Sequence, residues 1–109
     1  MSMYKQDILN YGEDVNDFEI SPFESVQMLH NRSEIQMVFH ELSLEEQQLL
    51  AEYDARLFKN VHKMYRHIKK AYDFNLSNQP NDEWWWHLDK VINGTIKVGL
   101  TAGISGNVR

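Results

Sequence analysis

A chain of 109 residues, 42% hydrophobic and 25% charged, has the size and make-up of one folded domain, which excludes wholesale disorder. It has no cysteine, so disulfides, thiolate zinc sites and thiol nucleophiles are excluded together. Its net charge of −5 is divided unevenly: residues 1–54 hold twelve acids against two bases, and residues 55–109 hold four acids against nine bases.

Residues 1–20 read as an acidic, weakly structured lead, because Gly12 interrupts any helix begun at Tyr4. Phe18 and Ile20 alternate with Asp17 and Glu19, which suits a short extended segment. Ser21-Pro22-Phe23-Glu24 then carries the signature of a helix start: a serine cap, proline at the first position and glutamate three residues on. The spacing predicts a helix over 22–42 with Phe23, Val26 and Leu29 inward, interrupted near Asn31 and Ser33, with Met37, Val38 and Leu42 continuing its apolar face.

Ser43-Leu44-Glu45-Glu46 opens the strongest helical signal, and neither glycine nor proline follows before Pro80. Leu50, Leu57, Val61, Met64, Ile68 and Tyr72 recur at three or four residues after the first interval, and Leu49, Tyr53, Phe58 and Tyr65 widen the stripe. These residues predict one helix over 44–73, a rod of about 45 Å at 1.5 Å per residue. Asn75 to Asn81 is a turn-forming linker, and a tryptophan-bearing helix over 82–93 ends before Gly94. Thr95 to Leu100 alternates like a half-buried strand, and residues 101–109 read as a flexible tail. The expected fold is an all-α domain spanning 21–100 around one long central helix.

Two features suggest a binding role. Arg56, Lys59, Lys63, Arg66 and Lys70 fall at intervals of three and four, so a continuous helix aligns them opposite its apolar stripe. That face suits phosphates or an acidic partner, and as a solvated face it also suits the helix dipole. The run Trp84-Trp85-Trp86 spreads over about 200° of an α-helix. A helical wheel puts Trp85, Leu88, Val91 and Ile92 near Trp84 and leaves Trp86 beside Lys90 on the polar side. Trp86, with Lys90 and His87, is therefore the expected partner-binding point, since tryptophan is enriched at interface hot spots.

Signals for chemistry are weak. His62 and His67 are five residues apart where helical metal sites use four, and His40-Glu41 lacks the second histidine of a zinc-protease motif. The glycines Gly94, Gly99, Gly103 and Gly106 lack the following helix that a phosphate loop requires. No apolar run reaches the roughly 18 residues of a membrane helix, and Met1 to Leu9 has no stretch of signal-peptide length, which points to the cytoplasm. The expectation is a non-catalytic accessory or regulatory module without metal or cofactor that binds another protein. The alternative is a nucleic-acid-associated protein using the basic face. Pairing of the long helix with its copy would make a homodimer, although its stripe is too mixed in period for a coiled coil.

Overall fold

A computed structural model describes residues 4–98. These form five α-helices, α1 (Lys5–Asp14), α2 (Pro22–Met37), α3 (Leu44–Lys59), α4 (Val61–Ile68) and α5 (Leu88–Ile92). Single 3-10 turns lie at Phe39–Glu41, Phe74–Leu76 and Trp84–Trp86. Among the described residues there is no strand, so the all-α expectation holds. Thr95 to Val98 are irregular; the rest of the expected strand, and residues 101–109, lie outside the described residues.

Within the expected lead, residues 4–20 are not loose, and residues 1–3 lie outside the described residues. Ile8, Tyr11 and Val15 recur at helical spacing and are fully buried, so α1 packs on α2 and α3 as part of the same core. Gly12 does not end the helix, because its missing side chain is what the packing requires. A Cβ there would lie 2.3–2.6 Å from ring atoms of Tyr53 on α3.

Both strong helix starts form as their sequences demand. Ser21 and Ser43 each accept from the backbone N–H three residues on, and Glu24 and Glu46 return a carboxylate to the cap's own N–H. Between them α2 runs unbroken through Asn31 and Ser33. The side chains expected to interrupt it are engaged elsewhere: Asn31 Nδ2 donates to the carbonyl of Asp7 on α1, and Ser33 faces the tryptophan segment. Leu29 is buried and Val26 partly so, but Phe23 and Met37, expected to point inward, are 71% and 75% exposed.

The rod expected over 44–73 is instead two helices that meet at Asn60. A straight 45 Å helix would overrun a fold whose principal extents are 36 × 32 × 22 Å. At the break Asn60 Nδ2 donates to the carbonyl of Val15 (3.2 Å) and to Oδ1 of Asn16 (2.9 Å). The chain leaving α1 is thereby tied to the α3–α4 corner. α4 ends at Ile68, and Asp73 accepts from the N–H of Asn75 to start the next 3-10 turn.

The Tyr53 ring on Gly12 supplies a test. Gly12→Ala should lower stability on the order of 1 kcal/mol, since overpacking of about 1–3 kcal/mol outweighs a helix-propensity gain of about 1 kcal/mol. In a Tyr53→Ala background the same change should stabilise by up to about 1 kcal/mol. Denaturant unfolding of the four proteins measures both, and the same sign in the two backgrounds would show that the ring does not rest on Gly12.

Candidate functional site

The interior holds a connected polar system rather than apolar packing alone. Arg32 on α2 and Asp54 on α3 form a buried two-point ion pair, with Nε to Oδ1 and Nη2 to Oδ2 both at 2.9 Å. Tyr11 on α1 donates its phenol to the same Oδ1 at 2.6 Å, and Arg32 Nη1 donates to Gln36 Oε1 at 3.1 Å. The guanidinium stacks over Trp85, 4.2 Å from the ring centroid. Burial raises the Tyr11 phenol well above its ordinary pKa, and the charge of Asp54 adds to the effect. Burial lowers the guanidinium's, but Asp54 and Tyr11 more than reverse this and hold it raised.

A second junction seats the tryptophans. Ser33 Oγ accepts from Trp85 Nε1 at 2.9 Å and from Trp86 Nε1 at 2.7 Å, and donates to Glu83 Oε1 at 2.7 Å. One hydroxyl thus uses both lone pairs and its proton. This geometry overturns the placement of Trp86 on a polar surface. Trp84–Trp86 is a 3-10 turn and His87 has a non-helical backbone (φ −136°, ψ 48°), so the α-helical wheel does not apply. The three tryptophans are 8%, 2% and 1% exposed, Trp86 the least. His30 and Tyr72 cover its ring at centroid distances of 4.8 and 5.3 Å.

His87, expected beside Trp86 at the surface, is buried as well, and its Nε2 lies 2.9 Å from the carbonyl of Gln79. Because a carbonyl only accepts, Nε2 carries the proton there. Lys90 alone of the expected binding trio reaches the surface, 3.9 Å from Asp89. The partner point expected at Trp86, Lys90 and His87 is therefore not a surface cluster.

What the tryptophan segment does build is a cleft of about 460 Å³ between α2–α3 and residues 81–97. Trp84, Trp85, Leu50 and Ile96 line it together with the Arg32–Asp54 pair. Gln36 and Gln47 stand on one wall, Asn81, Asp82 and Lys97 on the other. Sequence reasoning passed over this region, although one signal was present. The single long interval in the apolar stripe, Leu50 to Leu57, is filled at helical spacing by Asp54, an acid on the inward face.

The row of bases is divided by the corner at Asn60. Arg56 and Lys59 lie on α3, Lys63 and Arg66 on α4, and Lys70 in the turn beyond it. Arg56 is committed to Glu52 (2.8 Å) and to the Tyr53 ring. Lys63, Arg66, Lys69 and Lys70 instead surround a shallow depression floored by Phe18 and His67. Lys63 Nζ sits 4.4 Å from the Phe18 ring centroid, and His67 Nε2 meets the carbonyl of Ile20 at 2.9 Å.

Among the described residues no group of three or more His, Asp or Glu side chains could hold a metal ion, and no helix is long and apolar enough to cross a membrane. No family model, curated protein or solved structure matches the chain.

Two tests follow from this geometry. Trp86→Ala should destabilise by about 3–5 kcal/mol, as truncation of a buried tryptophan does. Ser33→Ala, which strands two indole N–H groups, should cost about 1–3 kcal/mol per group. Chemical denaturation reads both, and an unchanged midpoint for Trp86→Ala would return that ring to the surface. Asp14 titrates above its ordinary value because it is partly buried and lies near Asp17, Glu13 and Glu24. A raised folded pKa means that its charge opposes folding at neutral pH, and the penalty vanishes once it is protonated. Asp14→Asn should raise the melting temperature at pH 7, and the gain should shrink to nothing as pH falls below the carboxylate range. A pH-independent gain would assign the effect to something other than this charge.

Proposed function

We propose that this chain is a non-catalytic module that binds another protein, and that the partner enters the cleft beside the tryptophan segment as a short extended stretch. The observation that carries the proposal is the cleft's chemistry. Its volume falls within the range of ligand sites, and its lining includes the apolar side chains of Leu50, Ile96 and Trp84.

The same lining holds amides with hydrogen-bonding capacity left over. Gln36 uses its oxygen on Arg32 and leaves its NH2 group, while Gln47 uses its nitrogen on the Leu42 carbonyl and leaves its oxygen. Such groups complement the N–H and C=O of an extended main chain, and the apolar lining suits one side chain of that stretch. Asp82 and Lys97, both exposed at the rim, add one charge of each sign for selectivity.

Binding is favoured over catalysis by how the strongest groups are used. Asp54 accepts three hydrogen bonds, Arg32 is tied to it at two points, and Glu83 holds Ser33. A general base or nucleophile needs a lone pair directed at substrate, whereas these groups are turned inward on one another.

Selection of peptides from a displayed random library on the intact protein tests the proposal. Selected peptides should bind about tenfold more weakly to a Gln36→Ala/Gln47→Ala variant, the loss of two ordinary hydrogen bonds. A melting curve taken on the same sample confirms that the variant is folded. Peptides that keep full affinity for the folded variant, or a library that yields none, would overturn the assignment.

A further inference from the structure

The stretch joining α1 to α2 runs beside α4, anchored at three successive points. Val15 and Asn16 meet Asn60, Phe18 lies under Lys63, and the Ile20 carbonyl meets His67. Asp17 and Glu19 are therefore carried along the flank of the most basic helix in the fold. Even so, among the described residues neither forms an ion pair with it. Asp17 turns its carboxylate to the backbone N–H of Glu19, and Glu19 is exposed. Lys63, Arg66, Lys69 and Lys70 are likewise exposed and without an acidic partner. The surface thus presents a positive strip and a negative strip side by side, with the Phe18 ring at their seam.

We infer that this double strip is a docking site for a protein segment that carries charges of both signs, with acids set against α4 and a base set against Asp17 and Glu19. The inference does not rest on the cleft, which shares none of these residues. Charge complementarity selects the occupant. A nucleic-acid backbone is negative throughout, so any length of it that covers Lys63 and Arg66 also approaches Asp17 and Glu19. The bend at Asn60 and the commitment of Arg56 to Glu52 further shorten the track that phosphates would follow. A mixed-charge protein segment meets attraction on both strips, and the seam offers it an apolar contact at Phe18. Rim charges of this kind chiefly set specificity and association rate.

Fluorescence anisotropy with three labelled probes tests this on the full chain. The probes are a helical peptide with glutamates along one stripe and lysines along the next, a peptide of the same length with glutamates alone, and a DNA duplex. The mixed peptide should bind best. Lys63→Glu/Arg66→Glu should weaken it by about tenfold, as two exposed charge contacts of up to about 1 kcal/mol each imply. Asp17→Asn/Glu19→Gln should weaken the mixed peptide while tightening the glutamate peptide and DNA. All four positions lie on the partly or fully exposed surface, and circular dichroism confirms the fold of each variant. DNA binding that exceeds the mixed peptide and ignores the Asp17/Glu19 change would overturn the inference in favour of phosphate tracking. Absence of binding to all three probes would overturn it in favour of a merely solvated face.

Discussion

The buried pair of Arg32 and Asp54 is the constraint around which the rest of the molecule is arranged. Removing two charges from water is expensive, and their attraction offsets that cost only when the geometry is good and the remaining polar atoms are bonded. Here the carboxylate takes two bonds from the guanidinium and a third from Tyr11, while Gln36 accepts a further guanidinium N–H. One ion pair therefore sets the relative positions of α1, α2 and α3. Removing either partner would leave the other charged and unpaired, a loss of about 3–5 kcal/mol in comparable pairs. The raised pKa of Tyr11 has a structural consequence as well: its phenol stays a proton donor through the whole neutral and mildly alkaline range.

The same arginine links the helical pair to the C-terminal segment. Its flat cation lies on Trp85, whose indole N–H reaches Ser33 one residue along α2. Ser33 holds Trp86 and Glu83 too, so a short 3-10 turn with little regular structure of its own is fixed by side chains of α2. Because the tryptophans serve as anchors inside, their edge against α2 and α3 leaves the cleft. In the proposed binding role, walls already fixed by these contacts would lower the ordering cost of binding.

Charge is organised differently. Apart from the exposed pair of Glu52 with Arg56, the acids at Asp17 and Glu19 and the bases along α4 lie close in space without forming ion pairs. Exposed ion pairs contribute little in water and hold two long side chains in place, so folding gives little reason to form them. For the partner inferred above, the unpaired strips along α4 would direct orientation more than they strengthen the grip.

Local signals were legible in the sequence. The Ser21 and Ser43 caps, the buried periodicity of Leu50 to Ile68 and the all-α character follow from interactions within a few residues, which any environment permits. Asp54 was legible in outline, as an acid at an inward position, but its partner was not. What only the tertiary structure decided depends on residues far apart in the chain. Asn60 breaks the long helix beside Val15, 45 positions away, and Ser33 stays helical while it receives Trp86 from 53 positions away. Gly12 reads as a helix breaker until the Tyr53 ring occupies the space a side chain would need. Sequence periodicity records which face of a helix is apolar, whereas the burial of Trp86 and the place of the cleft are set by which distant polar groups meet.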